Sequence, residues 1–387
     1  MKVNQVYEIL NTITGEMLGD SVIVNEDLSN VVDVGKAFEN LENGFDNYVR
    51  KLHDHIGKMV FVDRVYSGRA PSVLMDGWEY GSILEKVRAG LPTAQENESW
   101  ELEDGASYDP NIFYKPSVSV KFFNNRVTFE IPVSITEKQV KSSFSNATQL
   151  NAFYSMIQTA IANSMTVKLD GLIMRTINAG IAETIHNEFS AGVYNTGSGV
   201  RAVNLLYLYN QTLSTPLTAA AALTDPGFIR FASYTLKNYI GYMRDMSTLF
   251  NLGGTEKFTP DDRMKVVMLN QFKNAAEVYL YDGLNQFNTD GIRFPQVDGV
   301  SYWQGSGTDL GFSSVTAINV KTPSGDTVNV TGVLACIFDR DALGVANVDR
   351  RVTTNYNAKA EFWNEWHKYD AGYFLDFDEN FVVFFVA

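Results

Sequence analysis

One stretch constrains this chain more than any other. Between Leu150 and Ile185, apolar residues fall at Leu150, Tyr154, Ile157, Ile161, Met165, Leu169, Leu172, Ile173, Ile177, Ile181 and Ile185. The steps are nearly all three or four, the spacing that lines one face of an α-helix. The run holds no proline. Unbroken, it would span roughly 54 Å at about 1.5 Å per residue. Gly171 and Gly180 lie inside it, each costing about 1 kcal/mol against Ala, so two bundle helices joined at a glycine compete with a single spine. What precedes the run favours a spine crossing a flat, plate-like molecule.

In that preceding segment Val118, Val120 and Phe122 alternate, Asn124-Asn125 interrupts, and Val127, Phe129, Ile131 and Val133 alternate again. This pattern predicts a β-hairpin, with Pro132 placing its second strand at an edge. One face is apolar, and the other carries Ser119, Lys121, Arg126, Thr128 and Glu130. A lone hairpin cannot bury such a face, so it needs its own body or a neighbouring subunit.

At 387 residues the chain can hold two or three domains or subdomains. No apolar run is long enough to span a bilayer, and the N-terminus lacks the layout of a signal peptide. Cys336 is the one cysteine, which excludes an internal disulfide framework; within Val333–Phe338 it reads as a buried strand thiol. The net charge of −14 does not suit binding nucleic acid through a basic face. It does suit a soluble wall that does not stick to a polyanion inside it.

In chain order, residues 1 to about 30 read as an extended arm with short helical pieces. Residues 31–56 keep helical spacing, and Met59–Val62 is a short strand. From Tyr66 to Pro116 the pattern breaks up, with isolated Trp78, Tyr80, Trp100, Tyr108 and Tyr114. Six acidic residues and no basic one lie between Glu96 and Asp109. This is either a solvated acidic loop or an arm whose aromatics are buried against another subunit. After the spine, Thr224 or Asp225 caps a second long helix, with Pro226 in its first turn and a stop at Leu252-Gly253-Gly254. Met264–Leu269 reads as a buried strand, Asn270–Leu284 as a helix, and 295–324 as loop-rich. Val328–Val330 and Val333–Phe338 are strands, followed by a turn at 339–344. The alternation from Ala360, then Tyr373–Phe377 and Phe381–Val386, reads as a three-stranded antiparallel meander punctuated at Gly372 and Asp378-Glu379-Asn380.

Candidate chemistry is thin. Gly197-Ser198-Gly199-Val200-Arg201-Ala202 has dinucleotide spacing but no βαβ unit around it. Gly305-Ser306-Gly307 lacks the lysine of a phosphate loop. His53 and His55 have only His186 and His367 as further histidines, so a solvated helix end is the better reading than a metal site. The paired acids Asp261-Asp262 and Asp339/Asp341 sit at helix starts or turns, where capping accounts for them. No catalytic, cofactor-binding or metal-ligating residue is assigned, and no cofactor is expected.

The order of elements resembles the major capsid proteins of tailed bacteriophages, an α+β architecture known as the HK97-type fold, and within it the short-tailed phi29-like group. The stretches that carry the resemblance are Lys115–Phe122 with Val127–Ser134, Ser142-Ser143-Phe144 leading into the spine, Met264–Asn270, Ile337–Gly344, and Trp363-Asn364-Glu365-Trp366-His367. The resemblance implies five parts: an N-terminal arm and first helix (1–62), an extended β-hairpin loop (63–135), a peripheral domain with the spine (136–225), an axial domain (226–345), and peripheral closing strands (346–387). It implies a non-enzymatic protein that self-assembles as hexamers and pentamers into an icosahedral head shell around double-stranded DNA, without reading DNA sequence and without a membrane. A separate scaffolding protein and a portal are expected, as is a place in the virion after assembly in the host bacterial cytoplasm. Lys–Asn links between subunits, found in some relatives, are not carried over. An encapsulin-type compartment shell and a two-domain soluble enzyme stay open as alternatives.

Overall fold

The computed structural model describes residues 3–18, 24–25, 30, 33–34, 36–37, 69–75, 83–138, 147–189, 193–280, 297–305, 312–322 and 325–387. The expected helix over 31–56, apart from scattered positions, the strand at 59–62, and Ser142–Phe144 lie outside these residues. Residues Val3–Leu18 form a 16-residue helix, α1, where shorter pieces were expected. It buries Leu10, Ile13 and Thr14, one side of a helix, and Thr14 Oγ1 donates to the Leu10 carbonyl at 2.6 Å.

The spine is one helix, α2, Ala147–Glu188, 42 residues long, or about 63 Å at 1.5 Å per residue. It does not break at its glycines. Gly180 instead allows close packing, because a Cβ there would meet the Phe381 ring at 3.1 Å and Leu375 Cδ1 at 3.3 Å. From Leu172 onward the helix is buried on nearly every side, not on a single stripe. Its polar residues satisfy themselves locally: Thr176 Oγ1 and Thr184 Oγ1 donate to the carbonyls of Leu172 and Gly180, and Asn178 Nδ2 reaches the Trp303 carbonyl at 2.7 Å.

Fifteen strands are described besides this helix. In chain order they are β1 (Leu74–Met75), β2 (Leu84–Ala89), β3 (Val118–Phe123), β4 (Arg126–Thr136), β5 (Ala202–Asn204), β6 (Met264–Leu269), β7 (Val297–Val300), β8 (Gln304–Gly305), β9 (Phe312–Ser314), β10 (Ile318–Lys321), β11 (Thr327–Val330), β12 (Val333–Asp339), β13 (Leu343–Asn357), β14 (Phe362–Leu375) and β15 (Phe381–Phe385). One sheet runs β1-β13-β14-β4, and a second runs β5-β15-β12-β6-β7. The second sheet is buried on both faces. Val267, Cys336, Phe338, Phe381, Val383 and Phe385 turn to the spine side. Val266, Met268, Ile337, Val382 and Phe384 turn to the other side, against the helices α3 (Leu205–Asn210) and α5 (Pro226–Arg244), which flank the short α4 (Ala219–Ala222), and against α6 (Asn270–Leu280). Burial on both faces is why β6, β12 and β15 read as unbroken apolar runs. Cys336 lies fully inside, where burial pushes its thiol pKa up.

Several expectations need correction. Val118–Phe122 and Val127–Val133 do not pair with each other. β3 pairs with β2, from Leu84 opposite Phe123 to Ala89 opposite Val118, while β4 pairs with β14. Asn124-Asn125 is a crossing between sheets rather than a hairpin turn: the Asn125 carbonyl accepts from Tyr373 N at 3.1 Å, already on the β14 side. Pro132 does lie on an edge strand, β4. The closing meander is also absent. β14 passes straight through Gly372, and β15 leaves it for the other sheet, pairing antiparallel with β12 and parallel with β5. α5 is capped as expected, Asp225 accepting from Phe228 N, but stops at Arg244, short of Gly253. The region 295–324, expected to be loop-rich, also carries four short strands among its described residues.

Gly332 holds the turn into β12. Its φ is +74°, and a Cβ there would run into the Val386 carbonyl. Gly332→Ala is expected to cost about 2 kcal/mol or more, since the left-handed backbone alone costs ~1–2 kcal/mol for an L side chain and the Val386 N–H bond to the Gly332 carbonyl (2.9 Å) is displaced. Equilibrium denaturation against the wild type measures it.

Candidate assembly surface

Residues 83–125, ahead of β4, stand off the main sheets as a projection. The segment before β1 is pinned to the body twice. Arg69 donates from its backbone N–H (2.8 Å) and Nε (2.5 Å) to Asp170 on the spine, and Ser72 donates through N and Oγ to Asp298 on β7 (3.1 and 2.5 Å). β2 and β3 then form a two-stranded ribbon, and residues 90–117 make its mostly irregular tip.

The ribbon is inverted in polarity. Directly opposed residues share a face, so Lys86, Arg88, Ser119 and Lys121 lie on one side with Leu84 and Phe123, and Val87, Ala89, Val118, Val120 and Phe122 lie on the other, where Glu85 opposite Phe122 is the one charge. The charged side turns to the protein's own body. The apolar side faces solvent, with Val87 62% and Phe122 64% exposed. The tip continues the pattern: Trp100 is 86% and Phe113 83% exposed. Of the 21 large hydrophobics that stand exposed among the described residues, 12 fall between Ile83 and Phe122. Such a concentration in one projection marks an interaction surface rather than scattered surface apolarity.

The inward side is held by the turn between β14 and β15. Arg88 forks across three carboxylates: Nη1 to Asp378 at 2.8 Å, and Nη2 to Asp376 at 2.5 Å and Glu379 at 2.7 Å. Lys121 Nζ lies 3.2 Å from Asp376 and 2.5 Å from Asp378. Lys86 Nζ donates to the Asp341 carbonyl, reaches Asp376 at 3.3 Å, and sits 4.6 Å over the Phe374 ring. Lys257 completes the group at 3.4 Å from Glu379. The Asp376 side chain is fully buried. Burial works against its charge, yet Lys86, the Asp378 backbone N–H, Arg88 and Lys121 together hold its carboxyl below the ordinary value. Glu379 shifts the other way, its burial outweighing Lys257 and Arg88.

The residues weighed for chemistry are scattered. Asp261 pairs with Arg244 at 2.6 Å, Asp341 with Arg263 at 2.6 Å, and Asp339 Oδ1 accepts from Asp341 N in a turn. His186 lies 3.3 Å from Asp326. His367 is buried beside Glu365 (3.1 Å), and burial pulls its pKa down to about 4. Gly197–Ala202 runs into β5, where a Cβ on Gly199 would strike Glu188. His53, His55, Ser306 and Gly307 lie outside the described residues. Among the described residues no group of three or more His, Cys, Asp or Glu could hold a metal ion, and no helix is long and apolar enough to cross a membrane.

The ionic latch was not anticipated from the sequence. Its only local signal is the run Asp376, Asp378, Glu379 facing three cations spaced over two distant segments.

The sequence model of the family described as Phi29-like phage major capsid protein matches residues 10–385. No curated protein matches. Among solved structures, a chain of the capsid of Staphylococcus phage Andhra is similar with a TM-score of 0.53 at 11% identity, covering 84% of this chain and 86% of that one. A chain in the structure of head fiber and inner core protein gp22 of native bacteriophage P68 gives 0.50 at 11% identity, covering 84% and 86%. At such identity the likeness is one of fold, the HK97-type capsid fold.

Proposed function

Because this chain belongs to the family of Phi29-like phage major capsid proteins, and so is a structural subunit of the phage head shell and of the virion rather than an enzyme, we propose a division of labour among its parts. Of residues 63–135, expected as the extended arm, the ribbon and tip (84–123) are the part laid over the neighbouring subunit, while β1 and β4 stay in the body's sheet. The spine with β1, β13, β14 and β4 is the peripheral domain. The axial domain, at hexamer and pentamer centres, takes residues 226–345 together with β5 and β15, which share its sheet. The observation that carries this reading is the inverted ribbon, whose apolar face and aromatic tip stand exposed among the described residues.

The shell is icosahedral and encloses double-stranded DNA without reading its sequence. The net charge of −14 supports this, since an acidic wall repels the polyanion it surrounds. A scaffolding protein and a portal are the further partners of this reading. The purified protein, examined by electron microscopy alone and with a co-expressed scaffolding protein, should yield shells or capsomers of uniform diameter. Discrete small particles at every concentration, with and without scaffold, would overturn the reading.

A further inference from the structure

The arm's apolar face calls for a neighbour, but only if it is held at a fixed angle. A two-stranded ribbon is marginal in water on its own, and this one turns its apolar face outward. What ties it to the body is mainly charge: Lys86, Arg88 and Lys121 converge on the turn 376–379, supported by the Phe123 ring 5.5 Å from Phe374. Asp376 is the common point of all three cations, and its side chain is wholly withdrawn from water. A charge cluster of this kind holds strongly while complete and fails when one buried member is removed, because the others are left uncompensated.

We infer that Asp376 is a positioning residue for assembly: through Lys86, Arg88 and Lys121 it latches the base of the ribbon and so aims the arm at the second copy. The inference rests on the head-shell reading for its purpose, not for its geometry. It locates control of arm pose in the β14–β15 turn, a segment distant in sequence from the arm.

The test is hydrogen exchange on unassembled protein, followed by assembly. In Asp376→Asn, amides of 84–89 and 118–123 should exchange at least tenfold faster, while those of the spine helix keep their wild-type rates. Arg88→Met, which acts from the ribbon and leaves both main sheets intact, should reproduce this, and both variants should form shells in several-fold lower yield. Ribbon exchange at the wild-type rate in both variants would overturn the latch, as would a parallel rise in the spine. The latch is read before any shell forms, so a wild type that never assembles counts against the head-shell reading alone.

Discussion

Replacing Trp100, Phe113 and Tyr114 together by Ser should abolish shells while leaving the protomer folded. Trp100 and Phe113 are more than four-fifths exposed and Tyr114 nearly two-thirds, so their removal costs the isolated chain almost nothing. Against a neighbour, each aromatic anchor is worth about 2 kcal/mol or more. The loss recurs at every copy of the contact in a closed shell. Circular dichroism and the denaturation midpoint should be unchanged, and sedimentation velocity should show only small species where the wild type gives shells. Shells in normal yield would remove the tip from the interface.

The largest effect on the protomer itself is expected from Trp303→Ala. Trp303 is fully buried in the core shared by the spine and both main sheets. Its Nε1 donates to the Val333 carbonyl at 2.8 Å, and its own carbonyl receives Asn178 from the spine. Truncating a buried Trp to Ala costs about 3–5 kcal/mol through lost transfer energy and the cavity left behind. Losing the donor to Val333 adds to that. The denaturation midpoint should fall far below that of Gly332→Ala, and an equal or smaller drop would mean the site collapses around the loss.

The sequence was readable wherever burial follows a simple period. The spine announced itself because its apolar steps persist for ten turns, and β6, β12 and β15 because both of their faces are dry. Neither signal says which strand lies beside which. Val118–Phe122 and Val127–Val133 have clean alternation, yet a strand's period is silent about its partner, and β14 gave β4 a ladder from Thr136–Phe362 to Arg126–Gly372. β2 escaped notice because its inward positions, Lys86 and Arg88, are the charged ones, the reverse of what a strand on a core displays. β13 escaped because its outer half, Arg350 to Asn355, holds a single apolar residue, Val352, and so shows no alternation. Gly372 read as a break, although it is an ordinary rung opposite Ala346. The arm's sticky tip was legible as a composition; its latch was not, since it joins three segments whose proximity only the fold creates.

The place of β15 has a bearing on synthesis. Without residues 381–385, β5 has no strand beside it and one margin of β12 lies open. Ribosomes deliver those residues only after the projecting arm has long since emerged. A truncated or still-growing polypeptide therefore carries its adhesive limb on an unfinished platform, with the 376–379 turn not yet in place to orient it. A chain cut before residue 376 is thus expected to show apolar surface without the turn that orients it, the condition under which partly folded chains aggregate.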